Sequence, residues 1–527
     1  MHGTELLLLV LMVAVAGLSV LARAVGVPYP ILLVLGGLAL GFVPGLPDIE
    51  LPPEIVLVLF LPPLLYHAAF FSSPRDLRAD VRAISMLAVG LVLATMIAVA
   101  AIGHLAAGLT WAAAFALGAI VSPTDPLAAT TIARRAGVPR RLVTLLEGES
   151  LVNDATALVA YRIAVSVVTG GAFVLWQAGL RFVASAVGGV VVGLVVGRAI
   201  TWIRKQLDDP PVEIVVTLVT GYVAYVPAEE LGVSGVLAAV TAGLYVGWHA
   251  PEVASAETRL LGFSFWEVFV YLLNAALFIL IGLQLPPILS GAADDHGIGT
   301  LIGLAALVSG VVIVTRIVWM FTVPYLVRAL DRRATQVVRR VDPGERFVVG
   351  WSGMRGAVSL AAALALPIEG AESQGFPDRD LIIFLTFVVI LVTLVLQGLS
   401  LPVVIRRFVK REDDEHVREE LRARLGATKA ALARLEELAE EDWTRSDTIE
   451  RMQGFYKYRK KRLAAQGGMV EDDGYEDRSL AYQRLTRELI EAQRGAIIRL
   501  RNQGDISSQV MRRVERDLDL EESRLET

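Results

Sequence analysis

The chain has 527 residues, 54% of them hydrophobic, and a mean hydropathy of +0.57, outside the roughly 45–50% apolar usage of soluble domains. Its 49 Lys+Arg against 54 Asp+Glu leave a net charge of −5, which says little about partners, and no nucleic-acid partner is expected. The absence of cysteine excludes disulfides, thiolate metal sites and cysteine nucleophiles.

Charge is segregated along the chain. From Arg406 onward lie 26 of the basic and 27 of the acidic residues, which reads as a membrane domain, 1–408, followed by a soluble tail, 409–527. Apolar runs long enough to cross about 30 Å of hydrocarbon as helix lie near 4–22, 28–45, 53–72, 83–106, 111–133, 142–168, 174–203, 211–228, 233–249, 263–288, 299–329, 346–367 and 380–408. Lipid offers no partner to bare backbone, so about 13 transmembrane helices, whole or broken, are predicted. The first run, Leu6 to Leu21, lacks a basic leader and feeds into another, so it reads as a span rather than a cleaved signal.

The connections between runs carry basic residues on alternate sides. Arg23, then Arg75, Arg78 and Arg82, then Arg134, Arg135, Arg140 and Arg141, then Arg198, Arg204 and Lys205, then Arg259, then Arg328, Arg332, Arg333, Arg339, Arg340 and Arg346 fall in one set of loops, and only Arg379 in the other. The positive-inside rule then puts the N-terminus outside and the tail in the cytoplasm.

Polar residues inside spans are costly and therefore functional candidates. His67 sits in the third run, where it reads either as a pH sensor or as a neutral hydrogen-bonded ring. In the fifth, Ser122-Pro123-Thr124-Asp125-Pro126 places two prolines within five residues. Each removes a backbone donor and disfavours helix before it, so the helix should break there. Such a break leaves carbonyls free for a cation; a plain proline kink with a buried aspartate is the alternative.

The sixth run carries Glu147-Gly148-Glu149-Ser150-Leu151-Val152-Asn153-Asp154. At 100° per residue, Glu147, Ser150 and Asp154 share one face, and Glu149 and Asn153 another. A carboxylate out of water needs neutralising, and a proton or a dehydrated cation can each do so, but not both together. Competition for Asp154 is thus the minimum requirement for coupled exchange. Asn153 is neutral, so this pair supplies one titrating carboxylate and one-for-one exchange is expected. The alternative is a structural Asp154 held by a buried arginine. Arg162, two turns on, could snorkel towards the interface. Asn274 and Gln284 read as interhelical hydrogen-bonders rather than ligands.

Two arginines, Arg316 and Arg355, fall inside runs and must face protein. Arg355 is assigned to Glu149 as an ion pair, with Arg316 as the competing partner. In the tail, Glu415 to Trp443 and Leu480 to Leu500 show helical periodicity, broken by Gly467-Gly468 and by Glu471-Asp472-Asp473-Gly474. That module reads equally as regulatory, oligomerising or a plain solvated appendage.

Leu61-Pro62-Pro63-Leu64-Leu65, Ser122 to Pro126, Glu147 to Asp154, Leu273-Asn274 with Ile281-Gly282-Leu283-Gln284, and Gly353-Met354-Arg355-Gly356-Ala357 follow one another in the order and spacing of the monovalent cation:proton antiporter-1 family. The chain resembles that family over about residues 5–405. The resemblance implies an all-α polytopic membrane protein in inverted repeats with two broken-helix regions. A dimerisation part (about 1–75 and 174–288) would flank a mobile core (about 83–168 and 299–408) that moves as an elevator, in a homodimer. It further implies an alkali cation held by the Asp154 carboxylate, the Ser150 hydroxyl and the Thr124 carbonyl, with Asp125 balancing helix dipoles and the Asn153-Asp154 pair associated with electroneutral exchange. Family members often carry a carboxylate where His67 stands here, which removes one ligand from the set.

The function expected is exchange of Na⁺, or Li⁺, for H⁺ across the inner membrane, with a potassium/proton antiporter as the alternative and a channel or membrane receptor behind it. No nucleotide loop, zinc spacing or nucleophile with an assembled base occurs, so neither an enzyme nor a cofactor is expected.

Overall fold

A computed structural model of the chain describes residues 2–43, 52, 56–168, 174–295, 297–330, 341–367, 376–409, 413–470, 473–523 and 525. Arg332, Arg333, Arg339, Arg340, Glu471 and Asp472 lie outside these. Two compact units emerge, Met1–Arg411 and Glu412–Thr527.

The first unit is helical throughout its regular structure: α1 (His2–Val25), α2 (Tyr29–Gly41), α3 (Val56–Phe70), α4 (Pro74–Ala79), α5 (Val81–Ala107), α6 (Trp111–Val121), α7 (Pro126–Arg135), α8 (Arg140–Val168), α9 (Leu175–Arg204), α10 (Pro210–Glu230), α11 (Gly235–Val253), α12 (Ala256–Leu283), α13 (Leu285–Asp295), α14 (Ile298–Leu330), α15 (Pro343–Trp351), α16 (Ala357–Leu364) and α17 (Arg379–Phe408). Among the described residues eight helical spans are long and apolar enough to cross a membrane, one of them α6 with α7, and α1, α2 and α3 supply three shorter apolar helices. The run expected at 263–288 is not one helix. It turns at Gln284, and Pro286 and Pro287 open α13, since proline fits a first turn but not a helix interior.

Packing sorts these helices into two groups. In one, α3, α9, α10 and α12 surround α11 or pack on its neighbours, and α2 lies along α12. Gly189, Gly193 and Gly197 recur every fourth residue on α9 and bring its backbone against Ser234, Ala238, Thr241 and Tyr245, close contact being the main attraction between helices in lipid. In the other, α5, α6, α8, α14 and α17 enclose a core of Val99, Leu117, Ile120, Val308, Ile382 and Leu385. Helix α8 belongs to the second group but also touches α3 and α11 of the first.

The tail folds as α18 (Asp413–Leu438), α19 (Ser446–Gln466), α20 (Tyr475–Gln503) and α21 (Ser508–Ser523). Gly468 and Gly474 take positive φ angles of 64° and 72° between α19 and α20, a conformation glycine adopts without steric cost. Leu421, Leu425 and Leu463 form a small core between α18 and α19.

Candidate functional site

Two helices are interrupted, and their breaks meet. The first break, Ser122 to Asp125, separates α6 from α7, with Pro126 as the first residue of α7. Asp125 is the N-cap: its Oδ1 accepts the Leu127 N–H at 2.9 Å, satisfying a donor the helix start would leave bare. The second break, Ser352 to Gly356, separates α15 from α16. Here the Asp125 N–H donates to the Met354 carbonyl at 2.8 Å. A Cβ on Gly356 would overlap the Asp125 carboxyl. One carboxylate therefore caps α7 and lies against the start of α16, where both helix dipoles present their positive ends.

Arg355 serves the opposite ends. Its Nε–H donates to the Val121 carbonyl at 2.7 Å and its Nη1 to the Gly353 carbonyl at 3.2 Å, while its own N–H reaches Thr393 Oγ1 at 3.0 Å in a π-helical stretch of α17. This corrects the expected Arg355–Glu149 ion pair. The break orphans the last carbonyls of α6, and Arg355, emerging from the neighbouring break, is the donor that satisfies the one of Val121.

Glu149 pairs instead with Arg316 of α14, both oxygens engaged by both terminal nitrogens, the second contact at 2.8 Å. Arg316 Nε also donates to the Val349 carbonyl at 3.2 Å. Thr124 Oγ1 donates to Glu149 Oε1 at 2.9 Å, and Asn153 Nδ2 donates to Thr124 Oγ1 at 2.9 Å and to the Thr124 carbonyl at 3.3 Å. One polar face of α8 is thus consumed in holding the first break against α14 and α15. Asn153→Asp removes both donated bonds and sets a second acid beside the Glu149 network. It is expected to lower stability by about 1–3 kcal/mol, read as a fall in the thermal midpoint of the purified protein.

The other face opens on space. Glu147, Ser150 and Asp154 line a cavity of about 720 Å³ together with Thr124, Asp125, His67 and Asn274. Asp154 is 7% exposed, and no side chain among the described residues bonds to its carboxylate. The arginines that could have locked it are engaged elsewhere: Arg316 on Glu149, Arg355 on carbonyls, and Arg162 on Glu229 of α10. Glu147 is paired with Arg134. His67 lines the same cavity, its ring 4.7 Å from that of Phe71 and 5.6 Å from that of Trp266. Asn274, expected to bond between helices, donates within its own helix to the Val270 carbonyl at 2.8 Å.

One cavity residue was not singled out from the sequence. Glu267 of α12 lines it too, and the signal was available: a lone carboxylate in the apolar stretch Phe263 to Val270.

Residues 9–407 match the protein family described as sodium/hydrogen exchanger, transmembrane. A protein named as an uncharacterized Na⁺/H⁺ exchanger of Mycobacterium tuberculosis is 38% identical over 523 residues, covering 98% of this chain and 96% of its own length. The low-affinity Na⁺/H⁺ antiporter NhaS1 of Synechocystis is 34% identical over 447 residues, 83% of this chain and 81% of that protein. The fold is similar to that of the sodium proton antiporter MjNhaP1 from Methanocaldococcus jannaschii, with a TM-score of 0.59 at 20% identity, covering 77% of this chain and 99% of that one.

Proposed function

The chain belongs to the sodium/hydrogen exchanger family, and from that premise we propose that it exchanges sodium for protons by letting the two compete for the Asp154 carboxylate. One observation carries this reading: a buried carboxylate, free of any cationic partner among the described residues, faces a cavity beside Ser150 and Thr124. A charge in that position needs neutralising, and a proton or a partly dehydrated sodium ion each suffices. The Ser150 hydroxyl and the Thr124 carbonyl are the oxygens that would complete the ion's shell, in keeping with the preference of hard cations for oxygen.

Stoichiometry follows from the neighbours. Glu149 is committed to Arg316 and Asn153 is neutral, so one site alternates between H⁺ and Na⁺ and the exchange is electroneutral. The cavity lining runs from Asp154 to Arg134, Glu147 and Phe71, which the arginine distribution assigns to the cytoplasmic side. The protein sits in the inner membrane with its N-terminus outside and its tail in the cytoplasm. Residues 83–168 and 299–408 form the moving core against a scaffold from 1–75 and 174–288, in a homodimer. The support for this division is the sorting of helices into two packed groups, with α8 carrying the site along their seam.

Everted vesicles containing the protein and acidified inside provide the test. Sodium added outside is expected to alkalinise the interior, at the same rate whether or not the membrane potential is clamped with valinomycin and balanced potassium. Exchange that follows potential would overturn the electroneutral mechanism. A response to potassium but not sodium would overturn the assignment of the ion.

A further inference from the structure

The carboxylate at Glu267 stands on a different footing from the acids of α8. It lies on α12, among the scaffold helices, whereas Asp154 lies on α8 in the group read as moving. Both line one continuous cavity. At 1.5 Å per residue, Glu267 is roughly 16 Å along α12 from its start at Ala256, whereas Asp154 is roughly 21 Å along α8 from Arg140, both starts being at the end read as cytoplasmic. Glu267 therefore sits between the mouth, marked by Phe71 and Phe263 with rings 5.2 Å apart, and the ion site.

The other charges facing that passage do not cancel it. Arg134 is paired with Glu147, Arg316 and Arg355 face away into the α8 and α6 networks, and among the described residues no cation bonds to Glu267, which is exposed and lines the passage. A carboxylate held at membrane depth on low-dielectric walls focuses a negative potential along the passage and raises the local cation concentration.

Resting on the antiport reading above, we propose that Glu267 is a scaffold-borne affinity determinant that draws sodium towards Asp154 only while the site faces the cytoplasm. Since it is not carried by the core, it does not accompany Asp154 when access changes sides. The two faces of the transporter should then differ in apparent affinity for sodium.

The test measures half-saturating sodium on each face, using everted vesicles for the cytoplasmic face and right-side-out vesicles for the other. At low ionic strength Glu267→Gln is expected to raise the cytoplasmic value about three- to ten-fold at unchanged maximal rate, leaving the opposite face unchanged. Glu267→Asp, which keeps the charge, is expected to stay within about two-fold of the parent. A second readout needs no variant: choline chloride should raise the cytoplasmic half-saturation of the parent protein by screening, and not the other. An equal rise on both faces, a fall in maximal rate with no change in half-saturation, or insensitivity of the cytoplasmic value to choline chloride would each overturn the proposal. Absence of sodium/proton exchange in the parent protein would instead remove the antiport reading, so the two failures are distinguishable.

Discussion

Asp154→Asn is expected to reduce sodium-driven alkalinisation of everted vesicles to the level of vesicles lacking the protein, with the thermal midpoint of the purified protein unchanged or slightly higher. The substitution conserves shape and removes the charge for which, in the proposed mechanism, proton and sodium compete. What makes the outcome sharp is the absence of any partner on this carboxylate among the described residues. Removing a charge that is paired leaves a buried counterion stranded, at a cost of about 3–5 kcal/mol. Removing one that stands alone strands nothing and relieves a desolvated group. Loss of exchange with retained stability would therefore separate an ion-binding role from a structural one. Wild-type exchange by Asp154→Asn would show that the coupling carboxylate lies elsewhere.

The second large effect belongs to the Glu149–Arg316 pair and has the opposite signature. Glu149→Gln or Arg316→Met alone is expected to destabilise the protein by about 3–5 kcal/mol, because each leaves an uncompensated charge in the interior. In Glu149→Gln, Arg316 keeps its Nε bond to the Val349 carbonyl and can donate to the amide oxygen at 149, but it loses its counter-charge. The double variant should cost less than the sum of the two single losses, by a coupling of about 0.5–3 kcal/mol between the two positions. The same cycle between Glu149 and Arg355 is expected to show little coupling, since Arg355 bonds to carbonyls and not to that acid. Thermal or denaturant unfolding of the purified variants measures both cycles. Strong coupling of Glu149 to Arg355 and none to Arg316 would contradict the arrangement.

The sequence made the apolar spans, the break at Ser122 to Asp125 and the two polar faces of α8 legible, because each depends on local rules: apolar length, proline chemistry and helical periodicity. Glu147, Ser150 and Asp154 reach the cavity together, and Glu149 and Asn153 turn away from it, as 100° per residue requires. Pairing across the fold was not legible. Arg316 and Arg355 are similar in setting along the chain, each an arginine in an apolar run, and nothing local says which of them will meet Glu149. That choice is made by the crossing of two breaks, which leaves α6 with bare carbonyls beside Arg355 and turns Arg316 to α8. Glu267 escaped for a different reason: no neighbouring polar residue marks a motif, so only its depth in the span distinguishes it from an ordinary surface acid.

A backbone join between the two breaks is made by the Asp125 amide and the Met354 carbonyl, atoms every residue but proline possesses, and it is guarded by the missing side chain of Gly356. The link itself therefore sets no demand on the side chain at 354, whose full burial in the core restricts it to apolar residues of similar size, whereas two positions later any side chain would collide with Asp125. A saturation library across 352–356, scored for growth under sodium stress, would record that contrast as a column open to apolar residues at 354 and one closed to all but glycine at 356.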